Sequence, residues 1–199
     1  RVEFTLTRPE VPAELLRTSA HSIGPEDAPY VVRKFSDFQC PYCAVFALQV
    51  MPQLEEEILA RGDVRFEYHH LPLRTIHANA APAAEASECV ADVAGAAAFW
   101  EFHHALVERL QAWQGLGDPQ PYFVRLAAEL GAEGESVSAC LDEGRHAEAV
   151  DEAYRYAVGT LGINSTPTVY LNGYQVGNPQ DMDAYLSLIE LVDAFDVDE

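Results

Sequence analysis

The feature that most constrains this sequence is a pair of cysteines, Cys40 and Cys43, at the junction of a strand-like run and a helical pattern. An apolar run rich in β-branched and aromatic residues ends near Phe35 and predicts a buried strand. In residues 41–60 apolar side chains recur at roughly helical spacing, and Gly62 marks the end of that pattern. The predicted strand therefore delivers Cys40 to the N-terminus of a helix, with Cys43 one turn further on.

The rest of the pattern indicates a sheet interrupted by a long helical block. Residues 64–70 predict a second strand, and residues from about 75 to 161 are almost entirely helical in pattern. Strand signals return at residues 168–171, where Asn172 and Gly173 form a strong signature of a two-residue hairpin. A right-handed βαβ unit followed by a β-hairpin and a helix is the α/β arrangement of the thioredoxin fold, here with a helical insertion between its halves.

This pattern divides the chain into four parts. Residues 1–20 are an N-terminal extension that can add an edge strand. Residues 21–74 and 162–191 form the thioredoxin-like domain, and residues 75–161 form the inserted helical domain. Residues 192–199 are expected to be a frayed acidic tail.

Charge and length exclude several classes of function. Acidic residues outnumber basic ones 32 to 12 among 199 residues, and the net charge is −20, which argues against nucleic acid and anionic membrane surfaces as partners. No stretch reaches about 18 uninterrupted apolar residues, so the sequence predicts no membrane span. It starts at Arg1 and shows no signal-peptide pattern, and we interpret it as a mature or trimmed form.

The spacing Cys40–Pro41–Tyr42–Cys43 favours thiol–disulfide exchange. At a helix N-terminus, unpaired N–H groups and the helix dipole stabilise a thiolate, so Cys40 is the expected nucleophile. Pro41 suits the first helical position because it has no N–H to lose, and Cys43 lies where it can resolve a mixed disulfide. The alternatives are a structural disulfide or half of a zinc site. Zinc needs four ligands, and no second short-spaced pair is present, so neither a metal nor another cofactor is expected.

Several stretches together resemble the DsbA-like thiol–disulfide oxidoreductases. The resemblance covers roughly residues 22 to 190, in the family's order, through Phe35–Ser36–Asp37–Phe38–Gln39–Cys40–Pro41–Tyr42–Cys43, Leu71–Pro72–Leu73, His77 with Ala80–Ala81, Phe99–Trp100–Glu101–Phe102–His103, and Thr166–Pro167–Thr168. It implies a thioredoxin fold with inserted helices, an extracytoplasmic location (periplasm or cell envelope) and disulfide exchange with secreted proteins. It also implies a membrane redox partner.

The resemblance identifies Thr166 and Pro167 as a cis-proline turn that faces the cysteine pair. Residue physics alone favours a trans bond, because cis is uncommon even at proline. The position at the beginning of a strand is reasonable, since proline cannot donate to a sheet ladder. A cis bond here would expose the backbone of Thr166 for pairing with an extended substrate.

One position departs from the family. Many relatives carry an acidic residue six positions before the first cysteine, and this chain carries Lys34 there. A buried ammonium would lower the pKa of Cys40 and make the disulfide more oxidising, with Glu67 on the next strand as candidate partner. The alternative is that Lys34 is only a strand residue whose head reaches solvent or an ion pair. Tyr42 stands where strong oxidants of the family have histidine, and it favours a weaker oxidant.

Cys89 and Cys140 lie far apart within the helical block. Because some relatives carry a pair in these regions, we expect a structural disulfide; two buried thiols are the alternative.

The leading function is a dithiol oxidase that donates the Cys40–Cys43 disulfide to the thiols of unfolded or partly folded secreted proteins. The protein is expected to be a monomer. The alternatives are a disulfide reductase or isomerase of the same compartment, or a non-catalytic thioredoxin-like binding module.

Overall fold

The computed structural model describes residues 11–196, and a single mixed sheet organises them. Its five strands lie in the order β1–β3–β2–β4–β5. They are β1 Ser22–Ile23, β2 Tyr30–Ser36, β3 Val64–His70, β4 Thr168–Leu171 and β5 Tyr174–Gln175. β2 and β3 are parallel, and the other neighbouring pairs are antiparallel. The parallel pair is the βαβ unit that the sequence predicts.

The helical segment that follows β2 changes its hydrogen-bonding pattern along its length. It comprises α1 Pro41–Val45, a π-helical turn Phe46–Val50, α2 Met51–Glu57 and a short 3-10 turn Leu59–Arg61. The N–H of Met51 bonds to the carbonyl of Phe46, five residues back, directly before Pro52. Because Pro52 cannot donate to the helix, this wider turn lets the chain continue where an ordinary α-helical ladder would be interrupted. Gly62 ends the segment at a φ of 81°.

The inserted block consists of helices packed on one another. They are α3 Ala80–Ala94, α4 Ala96–Glu108, α5 Leu110–Trp113, α6 Gln120–Glu129, α7 Gly134–Asp142 and α8 Ala147–Arg155, followed by a π-helical turn Tyr156–Thr160. Cys89 in α3 and Cys140 in α7 are joined by a disulfide between residues 51 positions apart. The insertion is thus tied together within itself.

The C-terminal half follows the predicted hairpin closely. Asn172 and Gly173 have φ values of 46° and 88°, the left-handed geometry of the tight turn that joins β4 to β5. The last helix, α9 Met182–Asp196, extends past residue 191, so the boundary predicted for the acidic tail is wrong. The helix continues because Val192 packs into the core and the Tyr30 hydroxyl donates to Asp193.

The predicted N-terminal extension is described only from residue 11 onward, and residues 1–10 lie outside the described residues. One edge strand of the described sheet is Ser22–Ile23, antiparallel to β3. Among residues 11–196, no helix combines the length and the apolar character that crossing a membrane requires.

The two faces of the sheet bury different sets of residues. The larger core lies between one face and the inserted helices, and it includes Val32, Phe66 and Tyr68. The smaller core on the other face includes Phe35 and Tyr170. Successive strand residues point to opposite faces, so a side chain's position along β2 decides which core it joins.

Candidate active site

The junction of β2 and α1 places the two cysteines one turn apart. Cys40 is the residue that precedes the helix, with extended backbone angles of −72° and 119°, and Pro41 occupies the first helical turn. Cys40 is 5% exposed and Cys43 is 1% exposed, and both thiols are free. The outer sulfur is therefore the one that a substrate can reach, while the inner sulfur is sealed from solvent.

Cys40 is surrounded by groups that favour its thiolate. The Cys43 side chain donates to its sulfur, and the backbone N–H groups of Tyr42 and Cys43 and the side chain of Thr166 add to this effect. These contacts outweigh burial, which acts in the opposite direction, and lower the pKa of Cys40 from 9.0 to about 5. Cys40 is therefore almost entirely ionised at neutral pH.

Cys43 behaves in the opposite way. Burial raises the pKa of the Cys43 thiol well above its ordinary value, and the hydrogen bond to Cys40 adds to this rise. Environments that push the pKa values of two neighbouring groups apart assign them different roles. Cys40 is suited to attack or to leave as a thiolate, whereas Cys43 must lose a proton before it can resolve a mixed disulfide.

The turn before β4 closes over Cys40. The peptide bond between Thr166 and Pro167 is cis, and the sulfur of Cys40 lies 3.3 Å from the carbonyl oxygen of Thr166. That contact suits the protonated thiol as donor. The Thr166 hydroxyl oxygen is buried and has no hydrogen-bond partner in the described part of the chain, so it is free to donate to the thiolate.

A shallow cavity of about 180 Å³ adjoins this turn. It is lined by Tyr42, Phe46, Thr166, Pro167, Asn178, Pro179 and Gln180. Tyr42 is 69% exposed, so its ring is available to a bound chain. Asn178, Pro179 and Gln180, in the loop between β5 and α9, were not predicted as part of the site, because nothing in their sequence indicates that this loop returns to α1.

The loop that presents Cys40 is held by Asp37. One carboxylate oxygen accepts from the N–H of Gln39 at 2.7 Å, and the other accepts from the N–H of Leu73 at 2.7 Å and lies 2.9 Å from Nδ1 of His77. The Asp37 carbonyl in turn accepts from the N–H of Cys40. Three stretches that carry the family resemblance, those that contain Cys40, Leu73 and His77, therefore meet at one buried carboxylate, which holds the loop that precedes Cys40.

Comparison with known proteins agrees with this geometry. The family model described as Thioredoxin matches residues 17–191. The chain belongs to the thioredoxin family. It is 27% identical over 175 residues to Disulfide bond formation protein D of Bacillus subtilis, which covers 84% of this chain and 74% of that protein. The crystal structure of oxidised BdbD from Bacillus subtilis superposes with a TM-score of 0.75 at 28% identity, covering 85% of this chain and 90% of that chain.

A second kind of relative is much longer. The chain is 33% identical over 164 residues to the Na(+)/H(+) antiporter NhaA 3 of Salinispora tropica, covering 82% of this chain. It spans only 23% of the length of that antiporter. Taken with the Bacillus matches, the family model confirms the recognition of a DsbA-like thiol–disulfide oxidoreductase and the thioredoxin fold with inserted helices.

Lys34 is buried against the helical segment that carries the cysteine pair. Its side chain is 1% exposed, and its Nζ lies 4.5 Å from the ring centroid of Phe46. Burial lowers the pKa of Lys34 to about 8, and the charges of Cys43 and Cys40 act in the opposite direction. The alternative in which the head of Lys34 reaches bulk solvent is therefore wrong.

The predicted pairing of Lys34 with Glu67 is also wrong. Across the parallel strands Arg33 is the register partner of Glu67, while Lys34 is the partner of Tyr68. Glu67 therefore points to the other face of the sheet, where its carboxylate lies 3.0 Å from Nε of Arg33 and 3.2 Å from Nε of Arg65. The two charges of the hypothesis lie on opposite sides of the sheet.

Two groups of described residues come close enough to consider as metal sites. In the first, Cys89, Cys140 and His146, the two sulfurs are bonded to each other and cannot act as thiolate ligands. In the second, Nε2 of His21 and Nε2 of His70 each lie 2.8 Å from the same oxygen of Glu88. Hydrogen bonds to one carboxylate already account for that second arrangement.

Proposed function

We propose that this chain is an extracytoplasmic dithiol oxidase that passes its Cys40–Cys43 disulfide to the thiols of unfolded secreted proteins. The observation that carries this proposal is the opposed environment of the two sulfurs. The outer sulfur is held as a thiolate by several donors, and the inner one is buried and held as a thiol. A protein that stabilises its reduced form in this way gives up its disulfide readily.

The reaction proceeds in two exchanges. A substrate thiolate attacks the sulfur of Cys40, the Cys40–Cys43 bond breaks, and Cys43 leaves and is protonated. A second substrate thiolate then attacks the substrate sulfur of the mixed disulfide, and Cys40 leaves as a stabilised thiolate. The substrate is oxidised by two electrons and the pair is reduced by two. The carbonyl of Thr166 and the neighbouring cavity offer a backbone contact and an apolar surface for an extended chain.

The size of the effect favours an oxidant of moderate strength. The attacking cysteine of thioredoxin has a pKa of about 7, so a pKa of about 5 for Cys40 stabilises the reduced pair at pH 7 roughly fiftyfold more than in thioredoxin. At 29.6 mV for each factor of ten, this gain corresponds to about 50 mV. Added to the thioredoxin potential of about −270 mV, the shift gives about −220 mV, less oxidising than the value of about −120 mV for DsbA.

The proposed compartment and partners follow from the chemistry of disulfide exchange. A dithiol left after each turnover must be reoxidised, so the proposal includes a membrane oxidant as recycling partner. The Cys89–Cys140 disulfide supports an oxidising compartment, because such bonds persist mainly outside the cytoplasm. The charge of −20 favours basic or neutral unfolded segments over nucleic acid.

The reduction potential of the Cys40–Cys43 pair tests this proposal. The protein is equilibrated in glutathione buffers at pH 7, and the fraction of disulfide is followed by alkylation of free thiols. We expect a value of about −220 mV or higher, and oxidation of a reduced unfolded substrate by the disulfide form. A value of about −270 mV or lower would favour a reductase. Failure of Cys40 to react with disulfides at all would favour a non-catalytic binding module.

A further inference from the structure

Gln39, the residue directly before Cys40, is buried, and its side chain forms hydrogen bonds with two distant segments. Its Oε1 accepts from the N–H of Asn79, the residue that precedes α3. Its Nε2 donates to the carbonyl oxygen of Gln114, directly after α5, at 2.9 Å. Both partners belong to the inserted helical block. This one amide therefore ties the active-site loop to the insertion at two points.

The side chain of Asn79 continues the same connection. Its Nδ2 lies within hydrogen-bond distance of three carbonyl oxygens, those of Trp113 (3.2 Å), Gln114 (3.3 Å) and Leu116 (2.9 Å). Asparagine is a preferred residue before a helix because its side-chain oxygen ordinarily accepts from the first turn. In the described part of the chain the Asn79 side chain makes no such bond to α3. Its amide is used to hold residues 113–116 instead.

Packing alone does not hold all of residues 113–116. Trp113 is fully buried, and its indole N–H donates to the carbonyl of Leu106 at 2.8 Å. Beyond it the segment leaves the core, and Leu116 is 38% exposed. The bonds that Gln39 and Asn79 make to this segment and to each other, here called the clamp, therefore fix a stretch of surface chain next to the active-site loop.

Two exposed apolar side chains lie on segments that are bonded to this loop. Leu116 belongs to the clamped segment, and Ile76 is 70% exposed. Ile76 lies between Leu73 and His77, which both contact the carboxylate of Asp37. Exposed apolar groups of this kind mark surfaces that bind other molecules, and an unfolded chain presents apolar side chains of its own. A small thiol has nothing that could contact them.

We propose that Gln39 and Asn79 are positioning residues for exchange with protein substrates. They hold residues 113–116 so that Leu116, together with Ile76, contacts apolar side chains that flank the substrate cysteine. Both residues act through the clamped segment and do not touch the reacting sulfurs. The proposal rests on the proposed function, because it concerns how the substrate of that exchange is held. The substrate class it specifies is an unfolded chain whose cysteine has apolar neighbours.

The clamp is separate from the groups that make Cys40 reactive. The pKa of Cys40 is lowered by the Cys43 side chain, by Thr166 and by backbone N–H groups of α1. The Gln39 side chain is not among these donors, since both of its hydrogen bonds go to the insertion. Loss of the clamp should therefore change the selection of substrates and leave the reactivity of the thiolate intact.

Gln39→Leu removes both hydrogen bonds at nearly constant volume. The disulfide form is mixed with a reduced peptide whose cysteine is flanked by leucine, with a matched peptide flanked by serine, and with glutathione. The loss of the disulfide is followed by alkylation. We expect the rate constant with the leucine peptide to fall roughly two- to tenfold, the effect of one typical hydrogen bond. The rate constant with glutathione and the pKa of Cys40 should match the wild type.

Either of two results in this assay would overturn the proposal. One is a leucine-peptide rate constant equal to that of the wild type. The other is an equal fall with glutathione, which would mean that Gln39 acts on Cys40 itself. Asn79→Ala removes the three bonds to residues 113–116 but keeps its own N–H for Gln39. It is judged by the same criteria and decides the question if Gln39→Leu does not fold.

Hydrogen exchange measured by NMR reports on the clamp without any reaction. The N–H of Asn79 loses its acceptor in Gln39→Leu, so its exchange should become severalfold faster. Exchange at the N–H of Leu116, which donates to Trp113, should also become faster if the segment opens. Wild-type exchange rates at both sites would overturn the clamp. Gln120→Leu is the matched control, because its amide bonds to Asp142 in the α6–α7 region, and it should behave as wild type.

The apolar contact has its own test. Ile76→Ser and Leu116→Ser should each slow exchange with the leucine peptide and leave the serine peptide and glutathione unchanged. Leu15→Ser is the control, since this side chain is 39% exposed and its backbone contacts Tyr156, which belongs to the smaller core. A wild-type protein that reacts equally fast with both peptides would overturn the contact surface. Reaction with glutathione but with no peptide would refute the proposed function instead, and hydrogen exchange would still decide whether the clamp exists.

Discussion

Replacing Cys43 isolates the strongest single cause of the reactivity of Cys40. The hydrogen bond from Cys43 is the largest of the effects that lower the pKa of Cys40 to about 5. A hydrogen bond to a charged group contributes roughly 1.5–3 kcal/mol, and one pKa unit corresponds to 1.36 kcal/mol. In Cys43→Ala we therefore expect the pKa of Cys40 to rise by about one to two units.

Cys43→Ser is the matched control, because it keeps a donor of similar size at the same position. The pH dependence of iodoacetamide alkylation, together with the ultraviolet absorbance of the thiolate, gives the pKa of Cys40 in each variant. Cys40 is then the sole free thiol, because Cys89 and Cys140 are bonded to each other. Equal pKa values in Cys43→Ala and Cys43→Ser would refute the argument and leave the helix N-terminus as the main cause.

The same ionisation makes the stability of the reduced protein depend on pH. The pKa of Cys40 is lower in the folded protein than the unfolded value of about 8.5, so its ionisation stabilises the fold fully above that value. The contribution is lost as the pH falls toward the folded value of about 5. We expect the difference in unfolding free energy between reduced wild type and Cys40→Ser to shrink over this interval. A difference that is constant with pH would contradict the low pKa.

Three further predictions concern residues away from the pair. Although burial alone raises the pKa of Glu88, hydrogen bonds from two imidazoles hold it well below its ordinary value. Glu88→Gln should lower the unfolding free energy at pH 7 by roughly 1–3 kcal/mol, and denaturant unfolding should show less loss below pH ~4.3 than in wild type. Removing both Cys89 and Cys140 by alanine should cost at most about 4 kcal/mol for a loop of 51 residues and leave the redox potential unchanged. Glu67→Gln should destabilise by roughly 3–5 kcal/mol in denaturant unfolding, yet leave the alkylation titration of Cys40 unchanged.

The features that the sequence predicted well are those encoded locally. The strand at residues 64–70 has the observed bounds, and the hairpin at Asn172 and Gly173 has the expected geometry. The placement of Cys40 before a helix that begins with Pro41 also follows from neighbouring residues alone. In each case the signal is a periodicity or a turn preference that acts over a few residues.

The features that the sequence predicted wrongly, or did not predict, depend on contacts between distant segments. The choice of Glu67 as partner of Lys34 required the register of β2 against β3, and a shift of one residue moves every side chain to the other face. The end of α9 depends on whether Val192 finds a core to pack against, which the acidic sequence around it does not reveal. The loop at residues 178–180 reaches the site only through the path of the folded chain.

Tyr42 and Lys34, whose effects on the oxidising strength of the pair are expected to oppose each other, differ in burial. Tyr42 is 69% exposed, and even a charge at that position would act largely through water, where a unit charge at 4 Å contributes about 1 kcal/mol. Lys34 is fully buried, where an effective dielectric near 20 makes the same interaction about four times larger. We therefore expect a charge on Lys34 to act on the pair more strongly than a charge at position 42 would, chiefly on Cys43, whose thiol pKa it lowers against the larger effect of burial. Because that influence lasts only while the amine is protonated, we expect the oxidising strength of the pair to decline most steeply where Lys34 loses its proton.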